Sequence, residues 1–412
     1  MQEKPKTPYH RIGERLAAHQ EELAASGCSL FQDIHNAYVR KWLSPTMAHV
    51  ARVRTALVEG MTDYLVSRGL VNLERVQISL VTDPLAHEVE RLAEIPYRDA
   101  TYVATHSMIY AKILACFNPH IRGVFVDSPN VRLELPGHRQ RARYLLDFSQ
   151  LDVELRRPHQ LREEDYFGDP ETVREVLLEE LQLALSFFAG MVRAGFSRVR
   201  EQAAESLEAL GVELAPWPEQ LPVFYLDEAL AKYPREEVEA RLGEETPWQA
   251  FFVVGLLREN YDLIYPFLDR EGRPRKLSAV PSREIFNYDL VVKGLSRDGR
   301  VFPAVEVLSG GLREWIPKAI VARLVSQGIV PEPPRFVDGL LVNAARLGGY
   351  GPFLAVVWGC EQGLLPPFPA TMGAGVGIER LLWAILRGEG VRTIEDVTFF
   401  GKNPDSRRLF LF

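Results

Sequence analysis

Cysteine is scarce in this chain. Three residues, Cys28, Cys116 and Cys360, are spread over 412 positions, and no two have the CxxC spacing of a redox or zinc motif. This pattern fits reduced, packed thiols in a cytoplasmic protein better than a disulfide framework. We therefore expect neither structural disulfides nor a cysteine-bound metal, and we predict a cytoplasmic location.

Other familiar signals are also missing. No apolar run approaches the roughly 18 residues that span a bilayer, and the charged N-terminus does not resemble a signal peptide, so no membrane association is expected. The nine histidines contain no HxxxH or HExxH spacing, and GxSxG and GxxxxGK[ST] are absent. Acidic residues outnumber basic ones by 55 to 48, and the resulting net charge of −7 argues mildly against a long nucleic-acid footprint.

The composition is that of a globular enzyme, with 47% hydrophobic and 25% charged residues. Apolar residues at three- and four-residue spacing predict a long helix over 46–70, ended by Gly69. Two antiparallel strand pairs are predicted, 124–134 with 145–155 and 286–293 with 301–309, the second around a Ser-Arg-Asp-Gly turn.

Further helices are predicted over 104–117, 170–210, 316–327 and 335–347. Residues 1–45 are expected to form a helical extension, and 261–281, rich in Pro, Arg and Asp, to form an inserted loop. Antiparallel hairpins mixed with long helices indicate an α+β architecture.

The most informative stretch is Gly-Ala-Gly-Val-Gly-Ile-Glu-Arg at 373–380, followed by Leu-Leu-Trp-Ala-Ile-Leu. Glycines at three alternate positions are predicted to open an apolar helix and to let a ligand approach the backbone closely. Arg380 then lies in the first turns of that helix, where its planar, charged fork can bind phosphate. The alternative is that these glycines serve packing or capping alone.

A second cluster lies on the first predicted hairpin. Arg132 and Glu134, two residues apart on a strand, would share one face. An arginine on an open sheet face can neutralise an α-phosphate, and a nearby phenylalanine can stack on a base; a solvated basic hairpin is the alternative. The loop and the return strand carry the other members, His138, Arg139, Arg141, Arg143, Phe148, Gln150 and Asp152.

Two carboxylates lie on the second hairpin. If its loop is centred between Arg297 and Asp298, Asp289 and Glu306 are directly opposite, with Cβ atoms about 4.5–5.5 Å apart. Repulsion between them would favour a bound cation, and Mg²⁺ prefers such oxygen ligands. A tight Asp-Gly turn would instead pair Asp289 with Leu308, and two unrelated surface acids are the remaining alternative.

Arg313 follows the pair Gly310-Gly311, where the strand is predicted to end. In this place it could bind a substrate carboxylate bidentately. A surface arginine beside Glu314 is the alternative.

In order along the chain, these pieces resemble the three motifs of the class II aminoacyl-tRNA synthetases, most closely the aspartyl/asparaginyl branch. The helix 46–70 with the next strand and Pro84 is similar to motif 1, 131–152 to motif 2 and 373–380 to motif 3. Longer phrases resemble the archaeal asparagine synthetase-related members of that group: Thr-Asp-Pro-Leu at 82–85, Thr-His-Ser-Met-Ile at 105–109 and Phe-Ser-Gln-Leu-Asp at 148–152. The resemblance implies an antiparallel sheet flanked by helices over 46–412, and a homodimer.

The resemblance also implies ATP and Mg²⁺ as cofactors. Arg132 would bind the α-phosphate and Arg380 the γ-phosphate, and both would be catalytic. Other ATP contacts are implied for Phe148, which would stack on adenine, for Glu134 near the adenine amino group, and for Arg143. The metal would be held by Asp289 and Glu306.

For the amino acid, the resemblance implies that Arg313 reads the side chain of aspartate or asparagine. The pocket would be lined by Thr105, Ser107, Met108 and Gln150. Two positions depart from the family: its pocket lysine falls at Ala111, with Lys112 next to it, and a motif 2 histidine is replaced by Tyr144. Either departure points to an amino acid other than aspartate.

The implied function is AMP-forming activation of an amino-acid carboxylate followed by amidation, with aspartate and ammonia giving asparagine as the best single expectation. Only 45 residues precede the motif 1 helix, where the synthetases of this branch carry an anticodon-binding β-barrel, so tRNA is not expected as a partner. The alternatives are a truncated synthetase that charges tRNA, a non-catalytic paralogue, and an amide ligase of secondary metabolism with another acid and amine.

Overall fold

The computed structural model describes residues 8–80, 89–134, 143–257 and 261–401. Its helices are α1 Pro8–Ala25, α2 Leu30–Ile34, α3 Arg40–Trp42, α4 Pro45–Ser67, α5 Ile109–Ala115, α6 Glu163–Tyr166, α7 Pro170–Gln202, α8 Ala204–Ala209, α9 Leu226–Leu230, α10 Val238–Glu245, α11 Pro317–Ser326, α12 Ala344–Leu347, α13 Gly351–Glu361 and α14 Ile378–Leu386. No helix in these ranges is long and apolar enough to cross a membrane.

The strands are β1 Val71–Asn72, β2 Ile78–Ser79, β3 Val89–Arg91, β4 Glu94–Tyr97, β5 Ala100–Ala104, β6 Gly123–Val131, β7 Leu133–Glu134, β8 Asp147–Arg156, β9 Val212–Glu213, β10 Val223–Tyr225, β11 Ala250–Val254, β12 Asn287–Val292, β13 Leu295–Ser296, β14 Val305–Leu312, β15 Phe336–Val337, β16 Leu340–Leu341 and β17 Thr371–Gly377. Eight of them form one sheet in the order β1-β6-β8-β17-β14-β12-β11-β10. The central pairs are antiparallel and only the two edge pairs are parallel, which confirms the predicted α+β architecture.

In the middle of the sheet one face is apolar and the other polar, because side chains alternate along each strand and the two kinds of residue alternate with them. On β8, the core residues Leu151, Val153 and Leu155 alternate with Gln150, Asp152 and Glu154. The apolar face packs against α4, α7 and α14 in the main hydrophobic core. The opposite face is covered at β11 and β12 by a smaller apolar cluster with α9 and α10, which includes Phe251, Val253 and Val291. Its polar part, centred on β8 and β14, is therefore available for chemistry.

Several predicted elements are confirmed. The long helix is α4, and Gly69 follows it with φ of 79°, a conformation that glycine adopts without strain. The segment 170–210 forms α7 and α8, 316–327 contains α11, and the described part of the N-terminal extension is helical. The phrase at 82–85, with Pro84, lies outside the described residues.

Two predicted helices are wrong in part or in full. Residues 335–347 begin with the hairpin β15–β16, and only the short α12 follows. Asp338 and Gly339 have φ of 50° and 77°, the positive values that a tight hairpin turn requires. In 104–117 the helix starts only at Ile109, because 105–108 form a loop after β5.

The segment 261–281 is irregular, as predicted, but its first half is not a peripheral loop. Leu263, Ile264 and Phe267 are buried in the main core, and Asp262 is only 1% exposed. Asp262 forms a bridge to Arg313, at the end of β14. This segment therefore forms one wall of the site described below.

Candidate active site

The glycine stretch is a strand and not the start of a helix. Gly373, Gly375 and Gly377 belong to β17, and α14 begins directly after them. A Cβ on Gly373 would lie 1.9 Å from Oε2 of Glu154, and one on Gly375 would lie 2.1 Å from Nε2 of Gln150. The missing side chains thus leave the space that the polar side chains of β8 occupy.

Arg380 lies in the first turn of α14, as predicted. Its Nη1 donates to Oε2 of Glu306 at 2.8 Å, and its guanidinium carbon lies 5.6 Å from the centre of the Tyr144 ring. Burial opposes the charge of Arg380, but Glu306, Tyr144 and other acids outweigh it and raise its pKa. Arg380 therefore stays charged beside a carboxylate at the edge of the polar face.

Asp289 and Glu306 are not directly opposite each other. Asp289 pairs with Ser309, and Glu306 pairs with Val291, so both predicted registers are wrong. The cause is a bulge in β14 at Val307, which shifts the pairing by one residue. The shift also keeps Glu306 on the polar face, where Asp289 lies diagonally across the strand pair.

Arg132 and Glu134 do not share a continuous strand, because β6 ends at Val131 and β7 pairs with β3. Arg132 donates from Nε to the carbonyl of His106 at 3.2 Å, and its guanidinium lies 5.0 Å from the Phe148 ring. Burial lowers the pKa of Arg132, and Glu134 partly counteracts this effect. Three of the five predicted ATP contacts, Arg132, Glu134 and Phe148, are thus brought together.

Glu239 on α10 was not predicted as a site residue. One of its oxygens accepts from Arg143 Nη1 and from the backbone N–H of Glu306, both at 3.2 Å. This carboxylate joins the predicted arginine to the strand that carries Glu306. No local pattern pointed to Glu239, because α10 lies far from both partners along the chain. Three predicted members of the basic loop, His138, Arg139 and Arg141, lie outside the described residues.

Arg313 follows β14, as predicted, but it is only 2% exposed. Its Nη1 donates to Oδ1 of Asp262 at 2.6 Å, while Nε and Nη2 lie 3.3 and 3.5 Å from the two oxygens of Glu154. Burial opposes its charge, but Glu154 and Asp262 outweigh burial and raise its pKa. The surface alternative is excluded, and the guanidinium is already paired with two carboxylates.

Lys112 is a second buried cation of the candidate site, besides Arg313. Its Nζ lies 2.5 Å from Oδ1 of Asp152, and both side chains are almost fully buried. Ala111, where the resemblance would have put a lysine, is exposed. Lys112 thus directs its ammonium into the polar face. The period-two polar pattern at Gln150, Asp152 and Glu154 could have identified this pocket from the sequence.

The predicted pocket loop lies beside Arg132 through the carbonyl of His106. Within it, the hydroxyl of Thr105 donates to the carbonyl of Val76, and Ser107 Oγ accepts from the N–H of Ile109. Met108 is buried. Both hydroxyls therefore take part in the local structure of this loop.

A separate cavity of about 570 Å³ lies between α4, the ends of β6 and β8, and residues 397–401. It shares Phe148 with the cluster above, but neither Arg132 nor Arg380 lines it. Because the phosphate-binding candidates lie elsewhere, we assign no role in catalysis to this cavity.

In the described part of the chain, no group of three or more His, Cys, Asp or Glu residues is arranged to hold a metal alone.

Glu314, next to Arg313, is fully enclosed. Its Oε1 accepts the backbone N–H groups of Trp315 and Ile316 at 3.0 and 3.2 Å. Burial raises its pKa to about 7 despite these hydrogen bonds and nearby arginines. In the unfolded chain Glu314 loses its proton near pH 4.5. The contribution of protonated Glu314 to the free energy of unfolding is therefore fully present below that pH and is lost as the pH rises through 7.

We expect Glu314→Gln to remove this pH dependence. Glutamine can accept the same two N–H groups without a charge, so the variant should match the wild type near pH 4.5 and exceed it by up to about 3 kcal/mol at pH 8. Chemical denaturation at both pH values measures the difference. A constant difference between the two proteins across this range would contradict the raised pKa.

No family model matches the sequence. The Aspartate--tRNA(Asp/Asn) ligase of Methanopyrus kandleri is 24% identical over 360 residues, which cover 87% of this chain and 68% of that protein. Among solved structures, asparaginyl-tRNA synthetase from Pyrococcus horikoshii complexed with asparaginyl-adenylate is similar with a TM-score of 0.58 at 19% identity, covering 89% of this chain and 70% of that one. Asparaginyl-tRNA synthetase from Entamoeba histolytica in complex with asparaginyl-adenylate is similar with a TM-score of 0.57 at 14% identity, covering 92% of this chain and 72% of that one.

Proposed function

We propose, from the class II aminoacyl-tRNA synthetase-like fold that this chain has, that it activates the carboxylate of an amino acid with ATP. The products would be an acyl-adenylate and pyrophosphate. The proposal rests mainly on one observation: two clusters of charged residues lie next to each other on the polar face of the sheet. Arg132, Arg380, Asp289 and Glu306 form one group, and Lys112, Asp152, Glu154 and Arg313 form the other.

In this proposal Arg132 binds the α-phosphate and Arg380 the γ-phosphate. Phe148 stacks on adenine, with Glu134 near the adenine amino group and Arg143 as a further contact. Arg132 is suited to this role because its guanidinium is partly buried and is held by one backbone carbonyl and one ring. Arg380 contacts only one carboxylate through its described hydrogen bond, so other N–H groups remain for phosphate oxygens.

Mg²⁺ fits the residues that the resemblance assigns to it. Asp289 and Glu306 present carboxylates on the same face, and hard oxygen ligands are what this ion prefers. Two carboxylates are too few for a complete coordination shell, which suits an ion that also binds substrate phosphates and water. When bound, it would neutralise phosphate charge.

The chain's own contribution is positioning and charge. Arg132 lies within electrostatic range of both groups, since the charges of Arg380 and Asp152 both act on its guanidinium. The carboxylate of a bound amino acid, on the side of Arg132 that faces Asp152, would then lie next to an α-phosphate bound by the Arg132 guanidinium. Arg132 would then stabilise the negative charge that develops at the α-phosphorus. No general base is required for the attack of a carboxylate.

For the second step we propose amidation by a small amine. Aspartate and ammonia, giving asparagine, were the best expectation from the sequence. That specific form requires a cation free to read the side-chain carboxylate, and Arg313 is already paired with Glu154 and Asp262. We therefore propose only an amino acid and an amine. An amide ligase with another acid, the alternative raised by Ala111, is consistent with this form.

Transfer to tRNA is the second candidate. One relative is an Aspartate--tRNA(Asp/Asn) ligase, and the similar structures include asparaginyl- and aspartyl-tRNA synthetases. The prediction that tRNA is not a partner therefore has no support from these relatives.

A homodimer also stays a proposal. It is supported by exposed apolar residues in the segment that follows the motif 1 helix along the chain, which are Val71, Ile78, Leu92, Ile95 and Tyr97.

The deciding experiment is amino-acid-dependent exchange of pyrophosphate into ATP, measured with and without added tRNA. Exchange without tRNA supports adenylation by the chain alone, and mass spectrometry after addition of ammonia or other amines identifies the second product. Exchange that requires tRNA would favour the second candidate. No exchange with any amino acid under either condition would overturn the proposed activation and favour a non-catalytic protein.

Replacing Glu306 by glutamine tests the metal site. The variant keeps the size of the side chain and a hydrogen-bond acceptor for Arg380 but removes one anionic oxygen ligand. We expect exchange to fall about 100-fold at low Mg²⁺ and to recover partly when Mg²⁺ is raised. Glu205→Gln, at an exposed position of α8, is the matched control. Equal loss at all Mg²⁺ concentrations would contradict the assignment of Glu306 as a metal ligand.

A further inference from the structure

The pairing of Arg313 bears on which amino acid the pocket accepts. A guanidinium has two edges that can bind a carboxylate bidentately, one with Nε and Nη2 and one with Nη1 and Nη2. Glu154 faces the first edge with both oxygens, and Asp262 binds Nη1 on the second edge at 2.6 Å. Asp262 thus lies where a substrate carboxylate would bind the arginine.

Asp262 is fixed in this place. Its second oxygen accepts from Nδ2 of Asn287 at 2.8 Å, and its backbone carbonyl accepts from Arg323. The residue is also bridged to Arg313 through the backbone and is almost fully buried. A ligand that displaced its carboxylate would have to break these contacts and leave a buried charge unpaired, which is strongly unfavourable.

The hydrogen-bonded charges of the pocket leave one acceptor open. Lys112 and Arg313 pair with the carboxylates of Asp152, Glu154 and Asp262, and the cations Arg132 and Arg323 lie near Asp152 and Asp262. Oδ2 of Asp152 is buried and has no hydrogen-bond partner within the described ranges, although the residue is only 3% exposed. A buried acceptor of this kind indicates that a ligand donor binds there.

We propose that Asp262 is a specificity-determining residue, which excludes acidic amino acids and selects a side chain that ends in a nitrogen donor. Asp262 occupies the edge of Arg313 that a side-chain carboxylate would need, and it repels a further negative charge. Asp152 offers an acceptor to an amide or ammonium group. The inference rests on the proposed amino-acid activation, because it identifies the substrate class of that same pocket.

The first test is a panel of amino acids in the exchange assay with the wild-type protein. Aspartate and glutamate are compared with asparagine, glutamine, 2,4-diaminobutyrate, ornithine and lysine, so that amide and ammonium side chains are distinguished. We expect kcat/KM for the best nitrogen-bearing amino acid to exceed that for either acid by about 100-fold or more. A wild type that prefers aspartate or glutamate would overturn the inference while leaving adenylation intact.

The second test is Asp262→Asn, which removes the charge and keeps the size. Nη1 of Arg313 then faces a neutral group, so kcat/KM for aspartate should rise about tenfold or more relative to the preferred nitrogen-bearing amino acid. Asp338→Asn, in the exposed β15–β16 turn, is the matched control because asparagine also tolerates the positive φ there. An unchanged ratio in a folded Asp262→Asn variant would contradict the role of Asp262.

Calorimetric binding of the same amino acids without ATP separates the two proposals. If no exchange occurs but the wild type binds a nitrogen-bearing amino acid more tightly than aspartate, activation is wrong and the pocket assignment holds. If aspartate binds more tightly, the pocket assignment is wrong. If neither kind of amino acid binds, both proposals are overturned.

Discussion

Arg380→Ala should reduce adenylate formation about 10³-fold or more. The side chain is the only arginine that α14 presents at this face, and a single arginine that meets transferring phosphate can contribute that much to the rate. The loss should appear in kcat as well as in the KM for ATP, because the proposed contact strengthens as charge develops. Arg380→Lys should recover only part of the rate, since an ammonium cannot bind two oxygens in a fixed plane.

The same change should barely affect stability. The Arg380 and Glu306 side chains are 23% and 26% exposed, so the loss of this ion pair should cost less than about 1 kcal/mol. Thermal melting and pyrophosphate exchange are measured on the same preparation, with Arg300→Ala in the exposed 296–300 turn as the control. Near-normal exchange by a folded Arg380→Ala protein would remove Arg380 from the site.

Arg313→Met should have the largest effect on stability. The change leaves the carboxylates of Glu154 and Asp262 buried without their common cation, and such a loss destabilises by about 3–5 kcal/mol. From the sequence alone, Arg313 was assigned only to binding the amino acid. The buried pairing adds the loss of folding free energy, which chemical denaturation at pH 7 measures.

Two controls separate charge from packing. Unpaired buried carboxylates take up protons more readily, so the deficit of Arg313→Met should shrink as the pH falls from 7 to 5. The triple variant Arg313→Met, Glu154→Gln, Asp262→Asn should regain much of the stability, because no buried charge is then left unpaired. A deficit that is independent of pH and equal in both variants would assign the loss to packing.

Sequence patterns identified much of the site because each pattern reflects a local rule. The periodicity of 46–70 and 170–210 predicted the two helices that support the sheet, and the Ser-Arg-Asp-Gly signal predicted the turn at 296–299. Arg132, Phe148 and Arg380 were found through motif order and lie together on one face. Their roles toward ATP stay predictions.

The rest depended on long-range pairing that no local pattern contains. One bulged residue, Val307, altered the register between Asp289 and Glu306. Glu239 and Asp262 reach the site from segments that are distant in sequence or irregular in secondary structure. The hairpin at 336–341 is a different case, because its Asp-Gly pair was a local signal that helical periodicity overrode.

The alternating glycines of β17 have a consequence for how substrate choice can change over evolutionary time. A methyl group at Gly373 or Gly375 would collide with Glu154 or Gln150, so a mutation at either glycine would displace side chains that line the pocket. Heritable variation in specificity is then easier to obtain from the surrounding walls. Residue 262, in a segment without regular structure, is the wall position where one codon change can alter the charge and leave the strand intact.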